Sequence, residues 1–331
     1  MHPGFTRIVL ISCAFLFLSC RKDIPHSVQF YYWKSHVQIE DTEKDYFSAL
    51  GADRLYMRFF DVDLVQGAPA PVSVVGDFNP EILQAAYIPV VFITNRVMKS
   101  AGHPGGKSLA EDINSLIRQI AGDHGLEASD EIQIDCDWTE STRDTYFAFL
   151  EQLKKISGKK ISCTLRLHQV KYRDRTGIPP ADKVYLMAYA TSSPVEDNGK
   201  NSILDTGLLK DYLRTIDTYP IKMDIALPLY SWAVVTNHLG RSKLINGVAE
   251  SELQSPDFRR TAPHTYEVTE DVFLKGIYLN KGFHMRVEEI SPELLKETRL
   301  FLEAKLQRPY DYVYYHLDSL FLQRFSPEDL R

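Results

Sequence analysis

A regular alternation of short apolar runs and helical patterns is what most limits the folds open to this chain. Eight runs, at residues 28–35, 54–63, 88–95, 132–138, 161–169, 184–191, 223–234 and 312–320, are rich in Val, Ile, Tyr and Phe and bounded by polar or turn residues. Helical patterns fall between them. The clearest covers 141–156, where Tyr146, Phe147, Leu150, Leu153 and Ile156 recur at helical spacing. Others cover 108–120, 205–216 and 292–306, the last opened by Ser291 as N-cap and Pro292 as first helical residue. Eight strands with intervening helices predict an α/β fold, a (β/α)8 TIM barrel. An open doubly wound sheet is the main rival, but no Gly-rich phosphate turn follows the first strand. Residues 236–290, between strands seven and eight, hold more than one helix needs. They predict an insertion subdomain over the barrel mouth.

The barrel is expected to occupy residues 27–331. Residues 1–19 read as a leader, with His2 and Arg7 ahead of an apolar stretch over 8–18 that is too short to span a bilayer. Phe17-Leu18-Ser19-Cys20 resembles the lipobox of bacterial lipoproteins, which implies lipidation of Cys20. Residues 20–26, opening with Arg21, Lys22 and Asp23, then form a tether, and this resembles the charged tags of surface-exposed lipoproteins. The expected location is a bacterial outer membrane or cell surface, with the membrane as one partner through Cys20. A plain secretory signal or an uncleaved N-terminal anchor is the other reading of the same residues.

Removing residues 1–19 removes one charged side chain, Arg7, and takes the 38 Lys+Arg and 44 Asp+Glu to 37 and 44, a net charge of -7. A chain this acidic lacks the basic face that nucleic acid requires. Beyond Cys20 only Cys136 and Cys163 remain, both in apolar strands, so buried free thiols are expected rather than a disulfide framework.

In a barrel of this type the chemistry sits at the strand C-termini. Those ends offer Trp33, Lys34, Arg58, Asp61, Asp63, Asn95, Asp135, Asp137, Arg166, His168, Tyr189, Tyr230, Trp232, His316 and Asp318. Polar, acidic and aromatic side chains suit a carbohydrate, whose hydroxyls need hydrogen bonds and whose ring faces need aromatic platforms. Tyr230 and Trp232 are expected either to form such a platform or to pack beneath the insertion.

The most informative segment is Ile132-Gln133-Ile134-Asp135-Cys136-Asp137-Trp138-Thr139-Glu140. Strand alternation sends Gln133, Asp135 and Asp137 inward and Ile132, Ile134 and Cys136 toward the helices. This resembles the fourth-strand signature D-x-x-D-x-D-x-E of the chitinase-like family-18 glycoside hydrolases. Asp135, Asp137 and Trp138 fall on matching positions, Ile132 replaces the first Asp, and Thr139 stands where that family has its catalytic Glu. Met187-Ala188-Tyr189-Ala190 resembles the family's Met-x-Tyr-Asp, with Ala190 in place of the Asp. The segment Thr142-Arg143-Asp144-Thr145-Tyr146-Phe147 after strand four also resembles a group of uncharacterised bacterial barrel lipoproteins.

The resemblance implies a glycan or oligosaccharide partner and a mechanism in which the Glu protonates the leaving oxygen while the second Asp positions the substrate's acetamide. With Thr139 at the acid position that donor is missing. Glu140 could serve only if the strand has already ended, and Asp61, Asp63 or Asp318 are the other carboxyls at neighbouring strand ends. Catalysis is therefore assigned to Asp135, Asp137 and Glu140. Trp33, Arg58, Asp63, Asn95, Arg166, His168, Tyr189, Tyr230, Trp232 and Asp318 are expected to bind the sugar. Two functions stay open: a hydrolase, or a glycan- or partner-binding lipoprotein that kept the cleft and lost the acid. A structural role for the Asp pair, as ion-pair partners of Arg166, Lys34 or Arg58, is the competing interpretation. Carboxylates with His168 could suit a metal, but no ligand spacing supports one, and no motif calls for a cofactor. The Gly-rich loop around His103 lacks a phosphate-loop pattern, and no Gly-x-Ser-x-Gly elbow is present.

Overall fold

The computed structural model describes residues 25–100, 108–196 and 199–331. Cys20 lies outside the described residues, as do His103 and its neighbouring glycines.

Eight parallel strands close into a ring. In chain order they are β1 (Val28–Tyr32), β2 (Arg54–Val65), β4 (Ala86–Ile93), β5 (Glu131–Asp135), β6 (Lys160–Leu165), β7 (Lys183–Met187), β8 (Met223–Pro228) and β16 (Tyr312–Tyr315). β1 pairs with both β16 and β2, which closes the circle. β3 (Ala68–Val72) turns back from β2 as an antiparallel strand outside the ring. The fold is thus the α/β TIM barrel that the alternation predicts. Strands such as Ala-Tyr-Ile-Pro-Val-Val-Phe-Ile of β4 are nearly continuous in apolar residues because both of their faces are covered.

The helices on the outside are α1 (Asp41–Ala49), α2 (Asn95–Lys99), α3 (Leu109–Asp123), α4 (Arg143–Ser157), α5 (Leu167–Lys171), α6 (Arg173–Thr176), α7 (Thr206–Tyr212), α8 (Pro292–Lys305) and α9 (Ser319–Leu322). Their ends are set locally. Ser108 accepts from the Glu111 backbone N–H while the Glu111 carboxylate accepts from Ser108 N–H, a reciprocal capping box that starts α3. Gly158, at φ 65°, ends α4 in the left-handed conformation that a side chain disfavours. Ser291 caps α8, and Pro292 opens it as its position predicts.

Two layers of core result. Ile132, Ile134 and Cys136 face the helices, as alternation requires. Inside the barrel, Tyr31, Tyr56, Tyr185 and Val90 fill the space, with the Tyr56 and Tyr185 hydroxyls 2.8 Å apart. Tyr185 and Ser162 both donate to the Glu131 carboxylate, at 2.9 and 2.6 Å, so the lower barrel is plugged and the upper end is left as a floored cleft. Cys136 and Cys163 are free and buried, and burial pushes both thiols up, Cys163 to about 12.

The segment between β8 and α8 folds as a five-stranded antiparallel sheet of β9 (Trp232–Thr236), β10 (Ser242–Asn246), β11 (Phe258–Ala262), β12 (Thr265–Val268) and β15 (His284–Glu288). A hairpin of β13 (Val272–Leu274) and β14 (Ile277–Leu279) completes it, over a separate core that includes Val235, Ile245 and Met285. The apolar run 223–234 is therefore two strands. β8 ends at Pro228, and Trp232 opens the insertion rather than extending the barrel. Among the described residues no helix is long and apolar enough to cross a membrane.

Candidate functional site

A cavity of about 1180 Å³ opens at the C-terminal ends of the strands. Its floor carries Asp135, Asp137 and Arg166, from the ends of β5 and β6. An arc of rings surrounds them. Trp33 lies 5.6 Å from Tyr315, Tyr315 lies 5.9 and 5.8 Å from Tyr189 and Tyr230, and Tyr230 lies 5.2 Å from Trp232. The arc crosses the mouth from β1 to the first strand of the insertion. Tyr230 and Trp232 line the cavity and pack against the barrel core.

Asp135 is the last residue of β5 and 5% exposed. Its carboxyl accepts a hydrogen bond from the Thr164 hydroxyl at 2.6 Å, and no ion-pair partner is found for it among the described residues. Burial, and next the charge of Asp137, push its pKa up to about 7. Asp137 lies beyond the strand end, with its side chain half exposed and the Arg166 Nε 3.6 Å away. The Arg166 Nη1 also makes a long contact to the Met187 sulfur at 3.9 Å.

β5 ends at Asp135, but inward–outward alternation holds through Trp138 and breaks at Thr139, and this decides where the rest of the motif goes. Trp138 is fully buried, stacks on Tyr146 at 5.0 Å, and donates its indole N–H to the Thr176 carbonyl at 2.9 Å. Thr139 is exposed, and its hydroxyl meets that of Ser141 at 3.0 Å in the turn before α4. Glu140 is exposed too and held by the Arg175 guanidinium at 2.9 Å. Neither Thr139 nor Glu140 lines the cavity.

The other expected residues divide. Trp33, Arg166, Tyr189, Tyr230, Trp232 and Asp318 line the cavity, and Lys34 bridges Asp318 at 3.2 Å to the buried Glu43 at 3.1 Å. Arg58 sits behind the wall, 5.7 Å from the Trp33 ring and 3.5 Å from the Asp61 carboxylate. Asp63 belongs to the hairpin extension of β2, where Arg96 and Thr94 hold its carboxyl well below the usual range. Asn95 opens α2 and accepts from the Thr142 hydroxyl at 2.6 Å. His168 lies on α5 rather than on a strand, because β6 stops at Leu165, and burial and then Arg166 lower its pKa. Arg58, Asp63, Asn95 and His168 are thus outside the cavity lining. Tyr315, the centre of the aromatic arc, was signalled by its place in the run over 312–320 but not by any motif. Among the described residues no three His, Cys, Asp or Glu side chains gather as a metal site.

A closed parallel barrel with helices between its strands is also the fold of solved chitinases and of a spore cortex-lytic enzyme. A chitinase from Chromobacterium violaceum matches with a TM-score of 0.56 at 14% identity, over 90% of this chain and 96% of that one. The spore cortex-lytic enzyme SleL of Bacillus cereus matches at 0.53 and 16%, over 92% and 73%. A family-18 chitinase variant from Cycas revoluta, solved in complex with (GlcNAc)4, matches at 0.54 and 12%, over 92% and 98%. No protein-family model and no curated protein sequence matches the chain.

Proposed function

We propose that the protein binds a glycan in the barrel cleft and does not cleave it by the chitinase-type route. The observation that carries this is the separation of two halves of one motif. Asp135 and Asp137 remain in a cleft walled by aromatic rings, while position 139 carries a hydroxyl turned into the turn before α4. Proton donation to a leaving oxygen needs an acid with a raised pKa, which a threonine hydroxyl does not provide. Glu140 is not a substitute, since its carboxylate is engaged by Arg175 outside the cleft. The cavity exceeds the roughly 300–1,000 Å³ of small-molecule pockets, which suits several linked sugar rings. The fold shared with a chitinase crystallised on (GlcNAc)4 makes N-acetylglucosamine oligomers the first ligands to try.

A hydrolase is favoured by one observation alone: Asp135, pushed up to about 7, is a carboxyl that still holds a proton near neutral pH at the cleft floor. Calorimetric titration with (GlcNAc)4 tests the main reading. Binding by the wild type that weakens about tenfold or more in Trp33→Ala supports it. Absence of binding for chitin-type and peptidoglycan-type oligomers alike would refute it.

We further propose that Cys20 is lipidated and holds the protein on a bacterial outer membrane or cell surface. Its geometry would then orient the cleft. His26 is fixed beside the Tyr310 carbonyl, 2.9 Å from its Nδ1, at the strand N-terminal end of the barrel. Six residues from Cys20 to His26 span at most about 20 Å, so that end lies against the membrane and the cleft faces away.

A further inference from the structure

We infer that Glu288 is a positioning residue whose buried carboxylate fixes the Trp232 indole and the loop after β7 as one wall of the cleft. Glu288 is the last residue of β15, lies directly opposite Trp232 in the β15–β9 pairing, and is 2% exposed. It is not part of the cavity lining, so any effect on a ligand passes through what it holds. One carboxylate oxygen accepts from the Trp232 indole N–H at 2.8 Å and from the Ser202 hydroxyl. The other accepts from the Arg286 Nε at 2.9 Å, and Arg286 donates onward to the Pro194 carbonyl at 2.9 Å. Next to it, the Glu289 carbonyl accepts from the Asn201 side chain at 2.9 Å.

One anion therefore ties three segments together: the return strand of the insertion, the opening strand that carries Trp232, and the stretches 191–196 and 199–205 after β7. The first stretch supplies Thr191, Pro194 and Glu196 to the cavity wall. Hydrogen bonds to a buried carboxylate are charge-assisted, and removing the acceptor would strand three donors away from water. Holding the indole by its only polar atom presets the ring plane beside Tyr230, and a preset ring gives up little conformational freedom when a sugar stacks on it.

The inference rests on the glycan reading for its effect on binding, but the anchoring itself is readable in the free protein. The difference between wild-type and Trp232→Phe emission isolates Trp232 in a chain with three tryptophans. In Glu288→Gln that component should shift to the red and become more open to acrylamide, and the Kd for (GlcNAc)4 should rise about tenfold. In the Trp232→Ala background Glu288→Gln should raise Kd clearly less than in the wild type, because only the loop is left as its route to the ligand. Should Glu288→Gln fail to fold, Ser202→Ala removes only the loop donor and should still raise Kd severalfold, and an unchanged Kd there would overturn the inference. A Glu288→Gln protein that melts earlier with unchanged Trp232 emission and unchanged Kd would overturn the inference, as would equal losses of affinity in the wild-type and Trp232→Ala backgrounds. A wild type that ignores (GlcNAc)4 while Glu288→Gln still frees the indole would refute the choice of glycan and leave the anchoring standing.

Discussion

Replacing Asp135 by Asn should change how stability depends on pH more than it changes stability itself. In the native state burial and the neighbouring Asp137 raise the Asp135 pKa from its ordinary 3.8 to about 7. Between those values the folded chain holds a proton that the unfolded chain has released, so unfolding releases a proton and stability falls as pH rises. Below 3.8 the two states are protonated alike. Above about 7 the whole penalty is present. At about 1.4 kcal/mol per pH unit it amounts to about 4 kcal/mol, and the open cleft, which lets water relax the site, brings it nearer 2. Asn matches the neutral acid in shape and keeps a carbonyl oxygen for the Thr164 hydroxyl. Denaturant melts at pH 5, 7 and 9 measure the effect. Asp135→Asn should exceed the wild type by about 1–2 kcal/mol at pH 5 and by about 2–4 kcal/mol at pH 9. Parallel curves for the two proteins, or a constant loss in the variant at every pH, would refute the burial argument.

Asp137 is half exposed with a long ion pair, so Asp137→Asn should cost less than about 1 kcal/mol in a thermal melt while weakening (GlcNAc)4 binding in calorimetry. Unchanged affinity would reduce Asp137 to a partner of Arg166. Trp138→Ala should destabilise by about 3–5 kcal/mol in urea unfolding, because a fully buried ring and its hydrogen bond to Thr176 are lost. Cys20→Ala should move the protein from the membrane fraction to the soluble one with an unchanged melting curve, and retention on the membrane would point to an uncleaved helix.

The barrel was legible because parallel strands covered on both faces leave uninterrupted apolar runs, and each of the eight holds one strand of the ring. Strand ends were not. Pro228 marks the end of β8, but Leu229-Tyr230-Ser231 carries no Gly or further Pro, so the apolar run reads on across the change to the antiparallel sheet at Trp232. β3 was hidden by Pro69 and Pro71, which an outlying antiparallel strand tolerates. The same limit reached the site. Asp135 and Asp137 follow from alternation, but what lies after Trp138 depends on where that alternation breaks. Glu140 is set by Arg175, thirty-five residues away, and no local pattern encodes that pairing. Glu288 is likewise silent in sequence, since only the insertion's register brings it to Trp232.

The central claim, a cleft retained without its acid, is tested most directly by assaying hydrolysis of N-acetylglucosamine oligomers with the wild type, Thr139→Ala, Thr139→Glu and Asp135→Asn side by side. The account predicts no detectable turnover by the wild type or Thr139→Ala. It predicts none by Thr139→Glu either, because position 139 is exposed and lies outside the cavity lining. Wild-type hydrolysis that survives Thr139→Ala and disappears in Asp135→Asn would contradict it, and would make the buried carboxyl of Asp135 the acid of an active glycosidase.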